Sequence, residues 1–376
     1  MAIRPRTLEN LDVTSGKKFW RGRRVFLTGN TGFKGSWTAL WLERAGADIT
    51  GFAQLPEPGD SLYTSLSPWP RLRSITADIR DAEAVERAMA EANPEIVIHL
   101  AAQAILRRSF RDPLATIATN VMGTANLLAA STGRPNLRAI LVITSDKVYD
   151  NPEDAQSFRE GDALGGDDPY SASKVAAEAV IRGWRESFLN RPHAPALGVA
   201  RAGNVIGGGD WGEDRIVPDL IRAGRDRRPL ALRYPRATRP WQHVLDVVSG
   251  YLAYAQRLVT DPATAPPVLN FGPPLRESPM TTAELVERLQ AALGWRQEWI
   301  NAAGEQLQEK SRLALDSTLA VRALAWRPKL SIDDAIAWIA RWHKAHLAGA
   351  DMRQVSLAQI AEHETLPLSI AEATGS

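Results

Sequence analysis

The sequence contains no cysteine, which excludes disulfides, thiolate catalysis and cysteine-ligated metal sites. Histidine is scarce as well: the six, at 99, 193, 243, 343, 346 and 363, show no metalloprotease spacing. No metal site is expected, and His343 and His346 read as a solvated helix end. No apolar run reaches the length of about 18 residues that a membrane span needs, and no cationic start leads into a long apolar core. The expectation is therefore no membrane association and, by default, a cytoplasmic location. A dominant charge is also missing. Lys plus Arg number 45 against 43 Asp plus Glu, a formal excess of +2, so the chain carries no overall nucleic-acid footprint. Arg222, Arg225, Arg227 and Arg228 form a local basic patch that suits solvation and a phosphate-bearing small molecule equally. There is no internal repeat and no long Pro- or Ser-rich linker.

What is present is ordinary globular composition, 44% hydrophobic and 23% charged over 376 residues, enough for one large nucleotide-binding domain and a smaller lobe. Residues 1–20 read as an irregular leader with Trp20 a candidate anchor. Arg24-Val25-Phe26-Leu27-Thr28-Gly29 then reads as a buried strand, and Gly29, Gly32 and Gly35 follow at even spacing into a helix through Leu42. Such a loop lets backbone N–H groups approach a diphosphate at a helix N-terminus. The G-x-x-x-x-G-K-[ST] pattern of a triphosphate loop is absent around Lys34, so an ATPase is a poor reading. Strand-like runs at 47–53, 95–100 and 138–144 alternate with helical patterns at 81–92 and 113–130. This rhythm predicts an α/β fold with a doubly wound, mostly parallel sheet whose ligand lies at the C-terminal strand ends.

Those ends carry the polar residues. Asp78-Ile79 suits an adenine pocket, and Ala101-Ala102-Gln103 permits close approach of a cofactor. Thr144-Ser145-Asp146-Lys147 follows the fifth predicted strand. Tyr170 and Lys174 sit four apart on one helix face, so the ammonium can favour the ionised phenol, and an ionisable Tyr beside a nicotinamide can take the proton of an alcohol. Beyond residue 203 the pattern changes. The glycine-rich run 203–211 reads equally as a substrate loop or a domain crossover, and Pro218 begins or precedes a helix through Ala223. Arg233 to His243 is dense in arginines and aromatics, suited to phosphate binding and to stacking on a base or sugar. Helices are predicted over 281–293 and 332–342, and the tail beyond about 350 lacks a convincing anchor and is expected to fray or drape on a partner.

These residues carry a resemblance. The chain resembles extended short-chain dehydrogenase/reductases and, within them, the CDP-glucose 4,6-dehydratases over roughly residues 17–345. The matching runs are Thr28-Gly29-x-Thr31-Gly32-Phe33-Lys34-Gly35-Ser36-Trp37, His99-Leu100-Ala101-Ala102-Gln103, Thr119-Asn120-Val121-Met122-Gly123-Thr124, Thr144-Ser145-Asp146-Lys147-x-Tyr149, Asp168-Pro169-Tyr170-Ser171-x-Ser173-Lys174, the 201–211 run ending Gly207-Gly208-Gly209-Asp210-Trp211, and Arg239-Pro240-Trp241-Gln242-His243. Asn30 stands where these enzymes commonly have His, the region after Pro274 is looser than their pattern, and no acid or arginine closes the second strand at Gln54, so NAD rather than NADP rests on the resemblance.

The resemblance implies a Rossmann domain over 17–203, with a return at 243–271, a nucleotide-sugar lobe over 204–345 and a tail over 346–376. It implies NAD held by Gly29, Thr31, Gly32, Phe33, Lys34, Gly35, Asp78, Ile79, Ala101, Ala102, Gln103, Asn120, Thr144, Tyr170 and Lys174. Ser145, Asp146, Lys147, Tyr170 and Lys174 would be catalytic, and Arg107, Asn204, Gly209, Arg215, Arg233, Arg239 and His243 would bind the nucleotide sugar. The implied reaction oxidises C4 of CDP-D-glucose, eliminates water across C5 and C6 and returns the hydride to C6. Asp146 would protonate the leaving hydroxyl, and Lys147 would either remove the C5 proton or stabilise the C4 enolate. A dehydratase for a GDP-, dTDP- or UDP-sugar is the alternative, with a 4-epimerase further off. The expected assembly is a homodimer or homotetramer.

Overall fold

Uniformly apolar short runs bury on both faces, and the central strands do so, while the edge strand Leu72–Thr76 stays largely exposed. The computed structural model describes residues 18–152, 157–274, 280–302, 310 and 312–367. In chain order it places β1 (Arg24–Thr28), α1 (Phe33–Arg44), β2 (Asp48–Ala53), β3 (Leu72–Thr76), α2 (Ala82–Ala92), β4 (Ile96–His99), α3 (Pro113–Ile117), α4 (Gly123–Ser131), β5 (Ala139–Ile143), α5 (Pro169–Trp184), β6 (Ala196–Ala202), α6 (Ile216–Arg225), α7 (Val244–Thr260), β7 (Val268–Phe271), α8 (Thr282–Leu293), α9 (Ile332–Leu347) and α10 (Met352–Thr365). The main sheet runs β7-β6-β5-β4-β1-β2-β3, and every pairing in it is parallel. The expected doubly wound α/β sheet is therefore the fold. The strand order reverses between β1 and β4, which opens the ligand crevice at their C-terminal ends.

Two apolar clusters cover the faces of the sheet. One joins Trp37, Leu40, Leu141, Tyr251 and Phe271, and the other joins Phe26, Phe52, Val97, Leu128 and Ile140. A third, containing Leu220, Leu230, Leu285, Leu289 and Ile339, is the core of a smaller body made by α6, α8 and part of α9. The capping box at Thr281 and Glu284 starts α8, and Gly294 in the left-handed region ends it. The expected helix over 113–130 is interrupted: Ala118–Met122 forms a π turn between α3 and α4, a distortion frequent at functional sites.

Two expectations need correction. Residues 351–367 are not frayed, and 368–376 lie outside the described residues: α10 buries Met352, Ser356, Gln359, Ile360 and His363 along one stripe. Most of that stripe is polar, so hydrophobic periodicity could not reveal it. Its seating is by hydrogen bonds instead, from Trp342 Nε1 to Ser356 Oγ (3.0 Å), from Gln359 Nε2 to the Trp338 carbonyl (2.9 Å) and between His363 Nε2 and Asp246 Oδ1 (2.8 Å). His343 is not solvated either. It is wholly buried, edge-on to Trp211 and Trp342, and burial pushes its imidazole down to about 3; His346 stacks on Trp342. Of the two readings of the arginine patch, the solvated one fits: Arg225, Arg227 and Arg228 are exposed, Arg225 pairing with Asp60 and Arg228 with Asp226, while Arg222 bonds the Trp211 and Gly212 carbonyls. Of the leader, residues 1–17 lie outside the described residues, and Trp20 is buried in the first cluster. The looser stretch after Pro274 also lies outside them as far as residue 279.

Candidate active site

The glycine loop turns where only glycine fits. Gly29 has φ +73°, and a Cβ there would stand 2.7 Å from Ala101 N; one on Gly35 would stand 2.0 Å from the Gly29 carbonyl oxygen. Gly32 caps α1 without a side-chain hydrogen bond, so the first N–H groups of the helix stay available to an anion. Thr31 Oγ donates to the Gln54 carbonyl (2.9 Å). Asn30, at the departure from the family pattern, turns away from the crevice: it is fully buried and donates to Ser74 Oγ. Asp78 is held by Arg80 and by Gln54 Nε2 (2.8 Å), and the Arg80 hydrogen bond is the main reason its carboxyl lies below the usual range. Gly123 permits close contact with Ile79, where a Cβ would stand 2.7 Å from Cγ2. Asn120, in the π turn, clamps the β4 loop: its Oδ1 accepts from Gln103 N (2.8 Å), while its Nδ2 donates to the Gln103 carbonyl (3.0 Å) and Ser173 Oγ (2.8 Å). These residues form a backbone cradle with a small-residue wall, which fits a dinucleotide.

Beyond the cradle, a cavity of about 290 Å³ lies between the sheet and the smaller body. Phe33, Lys34, Thr144, Ser145, Asp146, Lys147 and Tyr170 line its inner end, and Arg107, Asn204, Arg215, Arg233, Tyr234 and Arg239 its outer part. The two parts come from α1, the end of β5, α5 and the segments flanking α6, so the fold assembles the cavity from residues up to about two hundred apart in sequence. Arg233 pairs with Asp214 (2.7 Å), Arg107 lies 3.6 Å from the same carboxylate, and Arg215 pairs with Asp210 (3.0 Å). Two predicted substrate residues lie elsewhere. His243 is buried, accepts the Leu245 N–H at the start of α7 and packs edge-on to Trp338. Gly209 is a packing residue at φ +79°, where a Cβ would strike Leu62.

At the inner end the groups are linked. Ser145 Oγ donates to Asp146 Oδ1 (3.1 Å) and accepts from Lys147 N (3.2 Å), and Ser145 pulls the Tyr170 phenol downward. Burial raises the Asp146 carboxyl above its ordinary range, against the pull of Lys147, Ser145, Arg239 and Lys34. Gly203 makes room for it: a Cβ would lie 3.1 Å from Asp146 Oδ2. Tyr170 and Lys174 are buried on the same face of α5, but the expected lowering of the phenol by the ammonium does not occur in the protein alone. Burial pushes Tyr170 up to about 12, and the charges acting on it are Asp146, Arg215 and Asp168. Lys174 is itself brought down to about 8 by burial, while Glu178 pulls it upward. The site thus combines a phenol, a hydroxyl and a carboxyl raised above its ordinary range, which suits proton exchange with a polyol at two positions.

Glu178, one turn beyond Lys174, was missed by sequence reasoning, although Tyr170, Lys174 and Glu178 fall at intervals of four on one face. It accepts from Thr144 Oγ1 (2.7 Å) and twice from the Arg201 guanidinium, which also bonds the Tyr149 hydroxyl (2.8 Å); Tyr149 donates to Asn270 Oδ1 (2.7 Å). Arg201 and Glu178 are almost wholly buried. Removing one member of such a pair strands the other charge. Arg201→Met is therefore expected to destabilise the fold by about 3–5 kcal/mol, read as a lower denaturant midpoint at unchanged slope; an unchanged midpoint would show the pair to be dispensable.

The comparisons agree with this geometry. The model of the NAD dependent epimerase/dehydratase family matches residues 25–271. The chain is 41% identical to the CDP-glucose 4,6-dehydratase of Salmonella typhimurium, across 92% of this chain and 98% of that one. It is 25% identical to dTDP-glucose 4,6-dehydratase 1 of Escherichia coli, across 87% and 94% of the two chains. Among solved structures, the epimerase Mth375 of Methanothermobacter thermautotrophicus superposes with a TM-score of 0.78 at 21% identity, covering 93% of this chain and 99% of that one.

Proposed function

The chain belongs to the NAD dependent epimerase/dehydratase family, and from that premise we propose that it converts CDP-D-glucose to CDP-4-dehydro-6-deoxy-D-glucose and water. The observation that carries the reading is Tyr170 beside the hydrogen-bonded Ser145 and Asp146 in one cavity, in a chain similar over nearly its whole length to a CDP-glucose 4,6-dehydratase. Oxidation alone needs the phenol and the ammonium. A buried carboxyl raised above its ordinary range beside them has a use only if a hydroxyl must also leave. When bound, NAD supplies the acceptor and later donor of the hydride; Gly29, Gly32, Gly35 and the β4 loop would hold it, with Lys174 and Tyr170 at its nicotinamide end.

In this reading Tyr170 takes the proton from the C4 hydroxyl, Ser145 orients that oxygen, and Asp146 protonates the C6 oxygen as it departs. Arg107, Arg215, Arg233 and Arg239 bind the diphosphate and its nucleoside, with Asn204 at the sugar. Residues 17–203 make the NAD-binding domain, to which 243–271 return, and 204–345 make most of the nucleotide-sugar lobe. A cytoplasmic homodimer or homotetramer completes the reading, supported by the exposed apolar side chains of Phe110, Leu114, Ile117 and Met122 on neighbouring helical turns.

Purified protein is expected to release NAD on denaturation and to turn over CDP-glucose in preference to dTDP-, GDP- and UDP-glucose. Conversion of one of the others with CDP-glucose untouched would overturn the substrate, and failure to bind any dinucleotide would overturn the reading as a whole.

A further inference from the structure

The reacting groups stand on two pieces of chain that local sequence does not join. Tyr170 and Lys174 come from α5, while Ser145, Asp146 and Lys147 come from the corner 144–149 at the end of β5. We infer that Glu178 is a positioning residue for the reaction: with Arg201 it clamps that corner against α5, and its negative charge holds Lys174 as the ammonium. The inference rests on the dehydratase reading of the cavity and deepens it, since neither Glu178 nor Arg201 lines the cavity itself.

One buried ion pair grips both ends of the corner. At the near end Thr144 Oγ1 donates to Glu178 Oε1 (2.7 Å). At the far end Arg201 Nη1 donates to the Tyr149 hydroxyl (2.8 Å), which in turn donates to Asn270 Oδ1 of β7, and the Tyr149 ring stacks on Phe158 at 4.9 Å. Between the two ends, Arg201 Nε and Nη2 hold the two Glu178 oxygens at 2.9 and 2.5 Å. Ser145 and Asp146 directly follow one fixed point, and Lys147 stands two residues before the other. For the end of β5 to slip past α5, hydrogen bonds to a charged pair almost shut off from water would have to break, and groups left unmet there are costly.

The charge acts on a near neighbour. Lys174 lies one helical turn before Glu178 on the same face of α5, is buried, and among the described residues takes no hydrogen-bond or ion-pair partner. Other groups around it offer no anion in Glu178's place. Lys34 of α1 and His99 of β4 feel the Lys174 charge as repulsion, and the corner brings the neighbours Asp146 and Lys147. The arginines of residues 106–111 are engaged by Asp214, Glu57 and Glu213, while α3, the π turn and α4 carry no charged side chain. Glu178 is the charge that pulls Lys174 upward against its burial. Without it the Arg201 guanidinium would be left unpaired beside that helix face, a further cation working against the ammonium.

The test uses the NAD-loaded protein and two variants that separate the charge from the clamp. Glu178→Gln keeps an acceptor for Thr144 but not the charge. Glu178→Met combined with Arg201→Met removes both charges together, strands neither, and releases both ends of the corner. Losing an anion beside an ammonium lowers the pH at which the ammonium gives up its proton. The working form is the ammonium, so formation of reduced nicotinamide on CDP-glucose, which falls as pH rises through that value, should fall at lower pH in E178Q than in the parent. The double variant should move this limb less, yet form reduced nicotinamide about 10²-fold more slowly, with KM for CDP-glucose within a few-fold of the parent. Its denaturant midpoint should stay near the parent's, so a pair with a merely structural role would leave the rate at the parent's. An unmoved limb in E178Q, or a parental rate in the double variant, overturns the inference, and the double variant still reports if E178Q fails to fold. Failure of the dehydratase reading looks different: the unmutated protein itself would then form no reduced nicotinamide on CDP-glucose.

Discussion

Tyr170→Phe (Y170F) is expected to slow both formation of reduced nicotinamide and release of product on CDP-glucose, each by about 10² to 10⁴, while NAD stays bound. The phenol is buried on the inner face of α5 and lines the cavity beside Ser145, and the substitution removes its oxygen without changing ring volume. Because burial pushes that phenol up to about 12 in the protein alone, lowering it must come from the bound state, in which Tyr170 and Lys174 would meet a ligand cation and an alcohol in place of solvent. A pre-steady-state trace separates this from a folding defect. A variant with the parent's NAD content and denaturant midpoint but no absorbance change on mixing with substrate has lost proton acceptance at C4. A trace that matches the parent would remove Tyr170 from the chemistry.

The parallel sheet was legible because its strands are short, apolar on both faces and spaced by helix-length segments, as at Phe26 to Thr28 and Ala139 to Ile143. The inner end of the cavity was legible for a related reason. Its residues sit immediately after strands or on one helical face, where local spacing dictates direction. Long-range pairing was not. Nothing near Asp214 in sequence says that it will hold Arg233, and Glu178 gains its partner Arg201 only when β6 is laid beside β5. His243 was misplaced because it stands in an arginine- and aromatic-rich run; the chain turns into α7 there and its imidazole caps the helix instead of facing ligand. α10 escaped because its buried stripe runs Met, Ser, Gln, Ile, His, a pattern that reads as solvent-facing until Trp342, Trp338 and Asp246 provide the partners.

Asp146→Asn (D146N) is expected to divide the reaction. Tyr170, Lys174 and Ser145 remain, so the first hydride leaves C4 and reduced nicotinamide forms near the parent rate. The amide cannot supply a proton to the C6 oxygen, so water loss slows by about 10² to 10⁴ and the reduced form accumulates, where the parent shows only a transient. The side chain that makes this possible is buried between Ser145 and the space left by Gly203, and burial holds it above the usual carboxyl range. Asparagine keeps that volume and can still accept from Ser145 Oγ, so the fold should be retained. The pH response gives a second readout. A carboxyl whose neutral form is the working one loses activity as pH rises through its raised value, so the elimination rate of the parent should fall on the alkaline side of that value while D146N shows no such limb. If D146N released product at the parent rate, Asp146 would be a structural partner of Ser145 and Lys147, and the departing hydroxyl would need its proton from another group in the cavity.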